Sequence, residues 1–108
     1  MPAVVNIDPE RFQEIRQQGN AVILDVRTDQ EVGRGKIPGA LHIPLQALPG
    51  RMQELPRDRP VLVYCLSGAR SLYAGNFLVA EGWLEVYNLA GGVTAWLGRG
   101  FELTGHMP

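Results

Sequence analysis

The run Val61-Leu62-Val63-Tyr64 restricts the fold more than any other segment. It is apolar or aromatic throughout, with no alternation between polar and apolar positions. A strand of this kind needs cover on both faces, as an inner strand of a parallel sheet has when it is packed between helices. Val22-Ile23-Leu24-Asp25-Val26 has the same character, with one carboxylate inside it. Shorter strands are expected over Val4–Ile7, Leu41–Ile43 and Glu85–Leu89. Helical segments lie between them. Asp8 reads as an N-cap and Pro9 as the first helical residue. Phe12 and Ile15 then form a narrow apolar stripe, and Gly19 is the terminator. Thr28 caps a short helix ending at Val32. Arg70 to Ala80 carries Leu72, Tyr73, Ala74, Phe77, Leu78 and Val79 and stops at Gly82. A last helix after Gly91-Gly92 carries Val93, Trp96 and Leu97. Lys36–Ala40 reads as a turn, and Leu45–Leu55 as a helix broken by Pro49-Gly50. Phe101–Pro108 shows little pattern. Strands and helices alternating at this length predict an α/β sandwich with a mainly parallel sheet.

The chain of 108 residues is expected to form one domain, residues 1–108. Ten Lys and Arg against eleven Asp and Glu leave a formal net charge of −1, scattered along the chain. Binding to nucleic acid or to an anionic membrane needs a clustered basic excess, so neither is expected. The single cysteine, Cys65, excludes an intrachain disulfide. With only His42 and His106 to assist, it excludes a Cys-based zinc site, and no metal or cofactor is expected. The first residues show no basic region followed by a long apolar run, so neither a signal peptide nor a membrane span is predicted. A free thiol then fits a reducing, cytoplasmic setting.

The chemistry concentrates in Val63-Tyr64-Cys65-Leu66-Ser67-Gly68-Ala69-Arg70-Ser71. A buried strand ends at Cys65, a small-residue loop follows, and a helix begins near Arg70. Ligands of open α/β sheets bind beyond the carboxyl ends of the strands, which is where this cysteine falls. Gly68 permits a positive φ, and Ser67 and Ala69 are small, so successive N–H groups can converge on one atom. The helix N-terminus adds partial positive charge and Arg70 a full one, and both favour thiolate over thiol. The same cradle suits a small oxyanion or the outer sulfur of a persulfide. No general base is needed once the thiolate exists. An arbitrary cysteine is more often an inert core residue. Ser67 and Ser71 by themselves read as ordinary helix-start residues, and Arg70 as a solvated one.

Cys-x-x-Gly-x-Arg-Ser after an apolar strand resembles the active loop of rhodanese domains. The resemblance extends over nearly the whole chain. It includes Ile23-Leu24-Asp25-Val26-Arg27 with Glu31, and Gly35-Lys36-Ile37-Pro38-Gly39-Ala40 with Ile43-Pro44-Leu45. It ends with Tyr87-Asn88-Leu89, Gly91-Gly92 and Ala95-Trp96. The family usually has an aromatic at the Val32 position and His at the Lys36 position, and Lys36 is expected to face solvent. The resemblance implies a rhodanese-like three-layer sandwich. It implies that Cys65 accepts sulfur and that the backbone of Leu66, Ser67, Gly68, Ala69 and Arg70 forms the cradle. Asp25, Arg27 and Glu31 are then supports. A carboxylate inside an apolar strand must be hydrogen-bonded or paired, so Asp25 is expected to brace a neighbouring loop and Arg27 to pair with Glu31. Trp83 and Trp96 read as core or rim.

The implied activity is transfer of a sulfane sulfur through a Cys65 persulfide by a ping-pong route. The donor would be thiosulfate or a persulfide, and the acceptor cyanide, a thiol or a protein. Two other functions use related folds. Phosphatases and arsenate reductases place five residues between Cys and Arg, whereas four separate Cys65 from Arg70 here. Purely binding modules of the fold usually lack the cysteine. No Gly-x-x-x-x-Gly-Lys-[Ser/Thr] motif is present for a nucleotide.

Overall fold

The computed structural model describes residues 2–104. The end of the tail, with His106, lies outside the described residues. The elements are β1 (Val5–Ile7), α1 (Pro9–Gln17), β2 (Val22–Asp25), α2 (Asp29–Val32), β3 (Leu41–His42), α3 (Leu48–Arg51), β4 (Val61–Tyr64), α4 (Ala69–Ala80), β5 (Val86–Leu89) and α5 (Gly92–Gly98). They form one five-stranded sheet in the order β1-β5-β4-β2-β3, parallel at every pairing. The chain is thus α/β, with its two unalternating apolar runs at adjacent central positions. Val22 pairs with Val61 and Asp25 with Tyr64, so β2 and β4 end level with each other.

Side chains of a strand alternate between faces, and the core divides accordingly. Leu24, Val61, Val63, Cys65 and Val86 pack with Leu48, Ala74, Leu78 and Trp83 on one side of the sheet. Ile23, Leu62, Tyr64 and Leu89 pack with Phe12, Ile15, Val93 and Trp96 on the other. Each fully buried Leu or Val contributes about 1.5–3 kcal/mol, and all four β4 positions are buried. The α4 face that enters this core is Ser71, Ala74, Gly75 and Leu78, while Leu72 and Tyr73 are exposed.

Local capping follows sequence chemistry. The Asp8 carboxylate accepts from the Arg11 N–H at 2.8 Å, with Pro9 opening α1. Thr28 and Glu31 form a reciprocal capping box at the start of α2. Three expectations change. Pro49 and Gly50 do not break their helix: Pro49 occupies the first turn of α3, where its missing N–H costs nothing. Residues 101–104 are not patternless, because Phe101 stacks on Trp96 with centroids 4.5 Å apart and Thr104 bridges to Lys36. Lys36 is part-buried, and its ammonium donates to the Ala40 carbonyl at 2.9 Å.

Candidate active site

Cys65 follows the last residue of β4, and its side chain is fully buried. The chain then turns through Leu66, Ser67 and Gly68 into α4. Gly68 adopts φ +104°, which L side chains rarely reach. The turn brings the sulfur over the N-terminus of α4, where helix N–H groups lack intrahelical partners. No side chain caps this helix from Gly68. The sulfur fills that role, accepting from the Gly68 N–H at 3.1 Å, the Ser71 N–H at 3.4 Å and the Ser71 hydroxyl at 3.3 Å. Burial opposes ionisation of the thiol. The Ser71 hydroxyl and the N–H groups of Ser71, Gly68 and Ser67 outweigh it, so the pKa lies below the ordinary thiol value.

Ser71 was not legible as a site residue. It is fully buried on the face of α4 that carries Ala74 and Leu78. A serine on such a face needs a hydrogen-bond partner, and a polar residue at an apolar-stripe position is the signal that marks it.

Arg70 lies beside the loop, bound at both ends of its fork by Glu31: Nη1 to Oε1 at 2.7 Å and Nη2 to Oε2 at 2.8 Å. Glu31 also accepts from the Thr28 N–H at 3.0 Å, so one carboxylate caps α2 and holds the arginine of α4. Arg70 first, with Thr28, lowers the Glu31 pKa to about 2. The expected Arg27–Glu31 side-chain pair is not formed. Arg27 instead binds Asp25, through Nη2 to Oδ2 at 2.8 Å and through Nε to both oxygens. Residues two apart near a strand end share a face, whereas Glu31 turns back to cap its own helix. Asp25 braces the neighbouring loop through Arg27, which donates to the Gly35 carbonyl at 2.7 Å. The Tyr64 hydroxyl accepts from the Ile37 N–H at 3.0 Å in the same layer.

Trp83 donates to the Pro56 carbonyl and Trp96 to the Glu102 carbonyl, both as core residues. A cleft of about 240 Å³ lies beside Leu66, lined also by Arg27, Glu31, Arg34, Val93, Leu97 and Leu103. Among the described residues, no group of three or more His, Cys, Asp or Glu is placed to hold a metal ion, and no helix is long and apolar enough to cross a membrane.

The cysteine caps the helix that follows an inner strand of an all-parallel sheet, with four residues between it and Arg70. The rhodanese-like domain model matches residues 8–99. The chain belongs to the rhodanese-like family and is a sulfurtransferase of that family. It is 41% identical over 101 residues to a sulfurtransferase of Allochromatium vinosum, covering 93% of this chain and 94% of the relative. It is 36% identical over 90 residues to the thiosulfate sulfurtransferase GlpE of Pseudomonas syringae pv. syringae, covering 83% of this chain and 84% of that one. The crystal structure of a rhodanese-related protein from Thermoplasma volcanium superposes with a TM-score of 0.84 at 29% identity, covering 93% and 97% of the two chains.

Proposed function

We propose that Cys65 is the sulfur carrier of a thiosulfate sulfurtransferase, in a single rhodanese unit. The observation that carries this reading is the convergence of the Gly68 and Ser71 donors on the only thiol of the chain. The Cys65 thiolate attacks the outer sulfur of thiosulfate. The sulfur–sulfur bond of the donor breaks, sulfite leaves with its electron pair, and Cys65 becomes a persulfide. A second nucleophile, cyanide or a thiolate, then attacks the outer sulfur. It departs as thiocyanate or a new persulfide and returns the Cys65 thiolate. The N–H groups of Leu66 to Arg70 serve as the cradle for the transferred sulfur and the donor's charge, with Arg70 at its edge. With no second cysteine, the chain has no internal thiol to resolve the persulfide, so turnover depends on an external acceptor, small or protein-borne.

Intact mass after incubation with thiosulfate should rise by one sulfur atom and fall back on addition of cyanide or a thiol. Cys65→Ser should keep the fold and lose both the mass change and thiosulfate-to-cyanide turnover. Near-normal turnover by a folded Cys65→Ser protein would exclude this reading.

A further inference from the structure

The active loop is not held by its own bonds alone. Three of its carbonyls are taken up by residues of β5 and of the first turn of α5. The Val93 N–H donates to the Cys65 carbonyl at 2.9 Å, and the Thr94 N–H to the Leu66 carbonyl at 3.1 Å. The Asn88 amide Nδ2 donates to the Gly68 carbonyl at 3.2 Å, a carbonyl that also accepts from the Leu72 N–H. A trans peptide points its C=O and N–H in opposite directions, and no peptide here is cis. Anchoring the carbonyls of Cys65, Leu66 and Gly68 therefore turns the N–H groups of Leu66, Ser67 and Ala69 away from β5 and α5, and it fixes Gly68, whose own N–H donates to the sulfur at 3.1 Å. The Ser67 N–H, whose peptide carbonyl is held by Thr94, is among the donors that favour the Cys65 thiolate. The two loops touch backbone to backbone. A Cβ at Gly92 would lie 2.5 Å from the Cys65 and Leu66 carbonyl oxygens.

Asn88 is the side chain in this contact that strand packing does not explain. It is 2% exposed, its Nδ2 also donates at 2.9 Å to the Oδ1 of Asn6, its register partner on β1, and its Oδ1 has no hydrogen-bond partner among the described residues. An aliphatic residue would fill the site without that buried orphan. The amide orientation is set by the Gly68 carbonyl, which can only accept.

We infer that the β5–α5 segment is a template that aims the N–H groups of the active loop at the sulfur, and that Asn88 is a positioning residue for sulfur transfer. The inference rests on the reading of Cys65 as the sulfur carrier. The test compares Asn88→Leu and Asn88→Ala with the native protein in thermal melting, in the pH midpoint of Cys65 alkylation, and in the rate of persulfide formation from thiosulfate. Arg70 and Glu31, the charged pair beside the loop, are unchanged in both variants. Asn88→Leu should melt close to the native temperature, because removal of the orphan Oδ1 offsets the loss of the two bonds that Nδ2 donates. Its alkylation midpoint should nevertheless rise by roughly half a unit and its persulfide formation slow by about fivefold, the scale of one lost hydrogen bond. Asn88→Ala removes the same donor without adding bulk and should show the same two shifts. An unchanged midpoint and rate in either folded variant would overturn the template role. A native protein that alkylates at low pH but never forms a persulfide would overturn the sulfur-carrier reading instead, and the alkylation arm would still decide the role of Asn88.

Discussion

Glu31 sits between two demands, capping α2 through Thr28 and binding the guanidinium of Arg70. The pair is close to neutral, so removing either partner exposes the charge of the other to the loop. Arg70→Ala should raise the alkylation midpoint of Cys65 and weaken thiosulfate use, because a bare carboxylate then faces the thiolate. Glu31→Gln should do the reverse: it frees Arg70, keeps a capping-box residue, and should lower the midpoint. Each shift should be about one unit or less. Arg70→Lys should restore only part of the loss, since it supplies charge without the planar fork. Shifts of the same sign in Arg70→Ala and Glu31→Gln would refute this account. Stability should depend on the same residue. The folded-state pKa of Glu31, about 2, lies below its ordinary value of 4.5. Its contribution is therefore complete above pH 4.5 and is lost as the pH falls toward 2. Both side chains are partly exposed, so solvent screening limits the effect to about 1 kcal/mol. Urea midpoints recorded down this range should fall in the native protein, and that component should be missing in Glu31→Gln.

Between β2 and β3 the chain is held by an ion pair that the packing cannot spare. Arg27 and Asp25 have side chains 3% and 0% exposed. The His42 imidazole lies 2.7 Å from the Arg27 carbonyl, and the guanidinium reaches Gly35. Asp25→Ala would leave a buried guanidinium without its counter-charge and should cost about 3–5 kcal/mol, read as a lower urea midpoint with an unchanged slope. A loss below about 1 kcal/mol would mean that Arg27 escapes to solvent. Sequence showed that Asp25 needs a partner, because a carboxylate in an apolar strand has no other way to be tolerated. It did not show which arginine. That choice depended on strand geometry at Arg27 and on the capping demand at Glu31. Helix faces were partly hidden for a similar reason. Leu72 and Tyr73 looked as apolar as Leu78, but the direction from which α4 meets the sheet buries Ser71, Ala74 and Leu78 instead.

Across the whole molecule, the segment after α5 closes the second core. Phe101 stacks on Trp96, Trp96 meets Phe12 edge to face at 5.7 Å, and Thr104 pairs with Lys36. Phe101→Ala should destabilise by about 1–2 kcal/mol, less than for a fully buried phenylalanine, because Phe101 keeps some exposure. It should leave the Cys65 alkylation profile unchanged, since the loop carbonyls are held by Asn88, Val93 and Thr94 and not by Phe101. An altered profile would mean that the tail also shapes the site.

Sequence alone determined the sheet class, the place of Cys65 at a strand end, and the small-residue loop beneath a helix N-terminus. These are local matters of period, backbone freedom and residue size, and each is written in a few consecutive residues. Tertiary structure alone decided that Glu31 binds Arg70, that Ser71 donates to the sulfur, that Asn88 and the amides after Gly92 hold the loop, and that Phe101 has a partner. In these cases the partner comes from a distant element, or the direction of a side chain follows from how its element packs. A polar side chain in the sequence announces that it needs a partner, but only the packed chain chooses one.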